Sequence, residues 1–177
     1  NTMRDALVAA INLNIFNNHC DTVCMANIAQ MVNVLQAMIL TEGSKMVLTP
    51  TYHVFALYAA HQGAQQLESY AETSILRHDE EAVPTLHVSA SRAADGKILI
   101  TVANLDAAHP AEAQVLLGGV KAAAVNGTVL CGTADARNTF TAPNAVQPKA
   151  LSAVLTADGF TAALPACSVA AFTVTPQ

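Results

Sequence analysis

The chain has 177 residues, enough for one domain with its own core or for a small domain with part of another. It is 53% hydrophobic and 12% charged, about half the charged share of an average soluble protein, so much of the chain should be covered by something. The net charge is −5 and the eight Lys and Arg residues occur singly, which disfavours nucleic-acid binding. No apolar run reaches the roughly 18 residues that a membrane span needs, so no membrane partner is expected.

The first part of the chain combines a helix with one buried strand. Apolar residues three and four apart from Met3 onward predict a helix that ends near Asn17. Residues 23–30, VCMANIAQ, predict a strand buried on both faces, as in a parallel sheet. One such strand cannot pair its own backbone, because both edges expose N–H and C=O groups. We therefore expect this part to be the C-terminal end of a larger α/β domain.

A second helix follows the loop TEGSKMV. Thr49 is a candidate N-cap, Pro50 suits the first helical position, and Gly63 is a candidate stop, so the spacing predicts a helix over residues 50–62. The polar stretch ESYAETSILRHDEEAVP, residues 68–84, is predicted to be a solvated connection.

Beyond this stretch the apolar period changes to two, which is typical of half-buried strands. The turn signals ADGK, VNGT and TADGF separate short segments, which indicates an antiparallel β-sandwich of about 100 residues. We place the incomplete α/β part at 1–66 and the sandwich at 67–177. The predicted strands are TLHVSAS, KILITVANL, AEAQVLLGG, GTVLCGT, LSAVLTADGF and SVAAFTV.

Four cysteines, Cys20, Cys24, Cys131 and Cys167, lie in apolar surroundings and are predicted to be buried free thiols. The first two are four residues apart with His19 beside them, so a metal site is an alternative. The pattern matches no compact zinc motif, and neither a metal nor another cofactor is expected. Free thiols favour the cytoplasm over export, and residues upstream of the chain are expected to decide between the two.

The stretch ANIAQMVNVLQAMI, residues 26–39, places four amides three residues apart in an apolar run: Asn27, Gln30, Asn33 and Gln36. A buried amide without partners costs on the order of 1 to 3 kcal/mol, so each needs a hydrogen-bond partner in protein, water or a ligand. Spacing alone does not say which of the four meets a ligand.

These residues carry a resemblance to a known family. Residues 1–64, from NTMRDALV to YAAHQGA, resemble the C-terminal end of the catalytic barrel in α-L-arabinofuranosidases of glycoside hydrolase family fifty-one, and ARNTFTAPNAVQP resembles a loop of that family's β-sandwich. The resemblance implies an α/β plus all-β fold: the last helix, strand and helix of an incomplete (β/α)8 barrel, followed by a jelly-roll-like antiparallel sandwich. The last barrel strand would be residues 23–30.

Gln30 falls at the C-terminal end of that strand, where barrel enzymes place their sites. The resemblance implies that Gln30 hydrogen-bonds the arabinofuranosyl ring; the alternative is an amide bonded only to adjacent loops. Asn33 matches a position in the turn after the strand, and we interpret it as a residue that holds the loop, with direct sugar contact as the weaker alternative. Asn27 and Gln36 are interpreted as structural amides.

Retaining members of the family use two carboxyl groups about 5 Å apart, one as acid/base and one as nucleophile. The resemblance places both glutamates upstream of this chain, so no catalytic residue is expected within it. Asp21 would lie at the opposite end of the strand from the site, and Glu42 is predicted to be a solvated loop carboxylate rather than a functional one. The chain alone is therefore predicted to be inactive.

The leading interpretation is the C-terminal part of a retaining α-L-arabinofuranosidase that removes terminal α-L-arabinofuranosyl residues from arabinan- or arabinoxylan-type glycans. Its expected partners are an arabinose-containing oligo- or polysaccharide and the N-terminal barrel portion, with self-association into a homo-oligomer as another way to cover apolar surface. The rival interpretation is a non-catalytic carbohydrate-binding or structural sandwich. Binding modules stack sugars on aromatic rings, and this chain has no Trp and 5% aromatic residues, with Tyr70 and Phe160 as candidates in the second half.

Overall fold

A computed structural model describes residues 1–29 and 31–177 of the chain. Helix α1 spans Met3–Asn18 and helix α2 spans Pro50–Tyr58, followed by a 3-10 turn at Ala59–His61. No helix in these residues is long and apolar enough to cross a membrane. The strands are β1 Ile39–Glu42, β2 Lys45–Leu48, β3 Gln65–Leu67, β4 Ile75–His78, β5 Glu81–Pro84, β6 Leu86–Arg92, β7 Ile98–Asn104, β8 Ala111–Leu116, β9 Ala122–Cys131, β10 Lys149–Leu151, β11 Val154–Thr156, β12 Gly159–Leu164 and β13 Ser168–Pro176.

Both predicted helices form. Helix α2 begins where the sequence indicates: Thr49 Oγ1 accepts a hydrogen bond from the Tyr52 N–H at 3.4 Å, and Pro50 occupies the first helical position. The α-helix ends at Tyr58, earlier than predicted, and the 3-10 turn carries the chain on towards Gly63, whose φ of +69° suits a glycine stop.

The predicted strand over residues 23–30 is not found in residues 23–29, and residue 30 lies outside the described residues. A strand needs a neighbour to pair its backbone, and none of the described strands pairs with this segment. Its first residue, Val23, instead donates its N–H to the His19 carbonyl at 2.8 Å, in the turn after α1. The structure therefore shows a mostly β chain with two helices, and the barrel strand of the predicted fold class is not confirmed.

The predicted antiparallel sandwich does form. A six-stranded sheet in the order β10-β9-β13-β7-β6-β3 faces a three-stranded sheet in the order β11-β12-β8, and every pairing within the two sheets is antiparallel. The core between them contains Phe160 of β12 and Phe172 of β13, whose ring centroids are 4.9 Å apart. Both rings are almost completely buried.

Two short hairpins were not predicted. Strands β1 and β2 pair within a stretch expected to be loop, and β4 and β5 pair within residues 68–84, the expected solvated connection. The β4–β5 hairpin is largely exposed, as that expectation requires, and turns at Asp79 with φ of +51°. Strand β3, which pairs with β6 at the edge of the large sheet, has only three residues and gave no periodic signal.

The second face of the six-stranded sheet is covered by the two helices. Met3, Ala6 and Ala10 of α1 are fully buried in one cluster with Val54 of α2 and Val169 of β13. Because side chains alternate along a strand, Ala170 and Phe172 of β13 point instead into the core of the sandwich. The middle of the six-stranded sheet is thus buried on both faces, which explains why every residue of β7 is buried.

A buried polar cluster joins these layers. Asn14 of α1 is fully buried, and its Nδ2 donates to the His87 carbonyl oxygen at 2.9 Å. Its Oδ1 accepts hydrogen bonds from three hydroxyl groups: Tyr58 at 2.8 Å, Ser89 at 2.8 Å and Thr101 at 2.9 Å. One amide therefore connects α1 to α2, β6 and β7 through hydrogen bonds between polar groups that are buried between these layers.

The substitution Asn14→Ala should lower the free energy of unfolding by roughly 2–4 kcal/mol, because it removes four hydrogen bonds from a buried polar cluster and leaves a cavity. Urea unfolding followed by far-UV circular dichroism measures this loss. The matched control is Asn12→Ala on the same helix, since Asn12 is exposed and its side chain donates only to the Val8 carbonyl; its cost should be about 0.5 kcal/mol or less. Equal losses for the two variants would contradict the role given to the cluster.

Candidate functional site

The residues directly after position 30 contact the start of strand β1. The carbonyl oxygen of Met31 accepts hydrogen bonds from the N–H groups of Met38 and Ile39, both at 3.0 Å. Val32 forms a parallel bridge with Ile39. Gln30 itself lies outside the described residues, so its contact with sugar stays a prediction.

Asn33 closes this turn with its side chain. Its Nδ2 donates to Thr41 Oγ1 at 2.8 Å and to the Thr41 carbonyl at 3.2 Å, and its Oδ1 accepts from the Thr41 N–H at 2.7 Å. Its backbone φ is +54°, in the left-handed region that Asn tolerates better than most residues. The amide thus holds β1 in place, which agrees with the loop-holding interpretation, while its contact with sugar stays a prediction.

Three of the four amides that the sequence places in an apolar run are not buried. Asn27, Asn33 and Gln36 are all exposed. Asn27 and Gln36 line a shallow groove against α1 and α2, together with Asn12 and Phe55. The expectation of buried amides is therefore wrong for these three, because no described part of the chain covers this segment.

Apolar side chains of the same region are exposed as well. Leu35 is 92% exposed, Met25 is 71% exposed and Met46 is 61% exposed. Met31 and Val32 are also exposed. We call residues 23–46 with these exposed side chains the open face. A face of this kind suits contact with other protein better than contact with water.

The thiols and carboxylates of the region do not form a site by themselves. All four cysteines are free, but Cys20 and Cys24 are exposed, so their predicted burial is wrong; Cys131 is half-buried and Cys167 is buried. The described residues contain no group of three His, Cys, Asp or Glu side chains placed to hold a metal ion. Glu42 is exposed at the end of β1, as predicted, and is paired in register with Lys45.

His61 is the most perturbed imidazole near this region. Its Nδ1 lies 2.7 Å from Ser91 Oγ and its Nε2 lies 3.2 Å from Thr101 Oγ1, so it extends the polar cluster around Asn14. Burial lowers the pKa of His61 to about 4, because the charged imidazolium loses its hydration. A neutral imidazole bonded to two hydroxyl groups has a structural role here.

Comparison with known proteins identifies relatives over almost the whole chain. The family described as "Alpha-L-arabinofuranosidase C-terminal domain" matches residues 1–168. An intracellular exo-α-L-arabinofuranosidase from Bacteroides ovatus is 44% identical over 151 residues, which cover 84% of this chain and 29% of that protein. The chain thus spans less than a third of the length of this curated relative.

Two solved structures share the fold of the chain. A family 51 arabinofuranosidase from Xanthomonas axonopodis pv. citri has a TM-score of 0.94 and 47% identity, covering 99% of this chain and 36% of its own. A family 51 α-L-arabinofuranosidase from Bifidobacterium longum has a TM-score of 0.90 and 27% identity, covering 99% of this chain and 35% of its own. The shared fold therefore includes the helices as well as the sandwich.

The depressed pKa of His61 predicts an acid-sensitive stability. The usual pKa of 6.5 falls to about 4 on folding, so between these values the unfolded chain binds more protons than the folded one. Neutral His61 therefore contributes up to about 3 kcal/mol to the free energy of unfolding. This contribution is complete above about pH 6.5, the usual pKa, and is lost as the pH falls through the pKa of about 4 in the folded protein.

The variant His61→Gln tests this prediction, because Gln can bond to both hydroxyl groups without titrating. Chemical unfolding at a series of pH values from neutral to 4 should show a smaller loss of stability in the variant than in the wild type. Burial also lowers the pKa values of His53 and His87, but both residues are present in the two proteins. Parallel pH curves would contradict the assignment.

Proposed function

Because this chain belongs to the family of α-L-arabinofuranosidase C-terminal domains, we propose that it is the C-terminal part of a retaining α-L-arabinofuranosidase. The substrates would be arabinan- or arabinoxylan-type glycans, from which the whole enzyme would release terminal α-L-arabinofuranosyl residues. The observation that carries this proposal is the family match over residues 1–168 in a chain that spans only 29% of a curated exo-α-L-arabinofuranosidase. The larger part of such an enzyme lies outside this chain.

In this proposal residues 1–66 are the end of a catalytic (β/α)8 barrel and residues 67–177 are the sandwich. The open face supports the division, since its exposed Leu35, Met25 and Met46 would be covered by the rest of a barrel. The unpaired segment 23–29 supports it too, because neighbouring barrel strands would supply the hydrogen-bond partners that it lacks.

The chemistry would come from two glutamates of the preceding barrel portion. One would protonate the leaving oxygen, and the other would form the glycosyl-enzyme intermediate that water then hydrolyses. This chain would contribute Gln30, whose amide would hydrogen-bond the arabinofuranosyl ring, and Asn33, whose bonds to Thr41 hold the adjacent loop. The chain alone would bind no sugar productively and would have no hydrolytic activity.

The alternative of a free-standing carbohydrate-binding sandwich has less support. Phe160, one of its two candidate stacking residues, is fully buried and cannot meet a sugar ring. Tyr70 is 82% exposed, but a single exposed ring gives a small stacking platform. The sandwich is better explained as a structural partner of the helices, with which it shares a core.

The proposal is tested by Gln30→Ala in the full-length protein. Loss of a hydrogen bond to the sugar ring should lower kcat/KM for an aryl α-L-arabinofuranoside by roughly 10- to 150-fold. Gln36→Ala is the matched control, an exposed amide of the same stretch, and should leave kcat/KM within about twofold of the wild type. Full activity in Gln30→Ala would contradict the sugar-binding role.

The 177-residue chain provides a second test of the same proposal. Purified chain should release no more aglycone from the aryl arabinofuranoside than a matched blank does, since the proposed glutamates lie outside it. Turnover above the blank would show that the catalytic groups are in this chain, and the proposal that they lie in the preceding barrel portion would be wrong.

A further inference from the structure

The β1–β2 hairpin, Ile39–Glu42 and Lys45–Leu48, turns at Gly43, which has a φ of +58°. Its end is exposed, and Glu42 and Lys45 pair across it. An isolated two-stranded hairpin is at best marginally stable in water, so a hairpin that keeps one position has to be held by other contacts. The contacts at its two strands show how this is done.

Strand β1 is held by Asn33. Three hydrogen bonds join the Asn33 amide to Thr41, at 2.7, 2.8 and 3.2 Å. They use both the donor and the acceptor groups of the amide, and they fix the backbone as well as the side chain of Thr41. The first strand of the hairpin is therefore tied to the segment directly after residue 30.

Strand β2 is held from the sandwich. Asn138 lies in the loop after β9, is 5% exposed, and donates from Nδ2 to the Leu48 carbonyl at 2.8 Å. The same amide donates to the Val146 carbonyl at 2.8 Å and accepts from the Val146 N–H at 2.7 Å. Its position in the loop is thus fixed by Val146, independently of its bond to Leu48. Asn138 therefore holds the end of β2 against the sandwich.

A third contact fixes the base of the hairpin. Thr49 Oγ1 donates to the Ala37 carbonyl at 3.0 Å, and the Thr49 N–H donates to the Met38 carbonyl at 2.9 Å. The entrance and the exit of the hairpin are thereby joined directly beneath the N-terminus of α2. The hairpin is held at β1, at β2 and at its base, whereas the β4–β5 hairpin projects with nearly all its residues exposed.

We propose that the β1–β2 hairpin is a preorganised wall of the sugar-binding site, and that Asn138 of the sandwich is a positioning residue for it. The inference rests on the proposed function, in which the hairpin is the loop that follows the last barrel strand and so lies on the face that carries barrel active sites. Walls that orient a substrate must be held by supporting contacts, and the three ties provide them. The sandwich then takes part in substrate binding without touching the substrate.

The chain provides a matched pair of buried amides to test this proposal. Asn104, 1% exposed, also donates to two backbone carbonyls, those of His109 and Pro165, and accepts from the N–H of Asp106. All of its partners lie within the sandwich. Asn104→Ala and Asn138→Ala should therefore cost similar stability, but only Asn138→Ala removes a tie to the hairpin.

Hydrogen exchange of the full-length protein is the first readout. The hydrogen-bonded amides of β1 and β2 should exchange about tenfold or more faster in Asn138→Ala than in Asn104→Ala or the wild type. This comparison does not depend on activity. Equal protection of the hairpin in the two variants would overturn the proposal.

Steady-state kinetics with an aryl α-L-arabinofuranoside is the second readout. We expect kcat/KM to fall by about tenfold or more in Asn138→Ala and to stay within about twofold of the wild type in Asn104→Ala, because a misplaced wall spoils substrate orientation. If the wild type is active and kcat/KM is equal in Asn138→Ala and Asn104→Ala, the proposal that the hairpin is a wall of the site is overturned. An inactive wild type would instead contradict the proposed function.

A second variant keeps the test valid if Asn138→Ala fails to fold. Asn33→Gly retains the left-handed backbone but removes the exposed tie to Thr41, and it should produce the same loss of hairpin protection and of kcat/KM. Gln36→Gly is its control, because Gln36 also has a left-handed φ, of +62°, in the same stretch. Wild-type protection and kinetics in Asn33→Gly would overturn the proposal.

Discussion

The carbonyl oxygen of the Asn14 side chain is the point on which the arrangement of layers depends. It lies on the buried face of α1 and accepts hydrogen bonds from Tyr58 of α2, Ser89 of β6 and Thr101 of β7. Without this oxygen the three hydroxyl groups would lose their common acceptor, and the loss of a buried hydrogen bond is costly. The apolar cluster that contains Met3 of α1, Val54 of α2 and Val169 of β13 joins the same layers, so the helices and the six-stranded sheet stabilise each other.

The open face shows the opposite situation. Residues 23–29 form no strand, and the apolar side chains of Met25, Leu35 and Met46 are exposed. The two helices are thus covered by the six-stranded sheet of the sandwich. The open face, in contrast, has no covering partner among the described residues. The chain spans about a third of its relatives' length. The exposed apolar residues of the open face are explained if the remainder of such a protein covers them.

The sequence predicted elements whose signals are local. The cap at Thr49 with Pro50 and most of the strands between turn signals form as predicted, because both depend on neighbouring residues. The stretch LSAVLTADGF is an exception, since it contains β11 and the turn into β12 instead of one strand. Residues 23–30 were predicted as a strand from their apolar character, but strand formation needs a partner that sequence periodicity does not supply. The hairpins and β3 have strands of three or four residues, too short for a periodic pattern. For the candidate site, the family resemblance predicted Gln30 and Asn33, which stay predictions. The hydrogen bond from Asn138 to Leu48 joins residues 90 positions apart and has no signature in the sequence.

Native-state hydrogen exchange at increasing denaturant measures the central claim, that the helices and the sandwich form one cooperative unit. The most protected amides of α1, around Ala10 and Asn14, should open with the same free energy as those of β7 around Thr101, and with the same dependence on denaturant. This result would show that α1 comes away from the sheet only when the whole unit unfolds. An opening of α1 at several kcal/mol below that of β7 would contradict the claim, since the helices would then be attached to the sandwich without being part of its stable core.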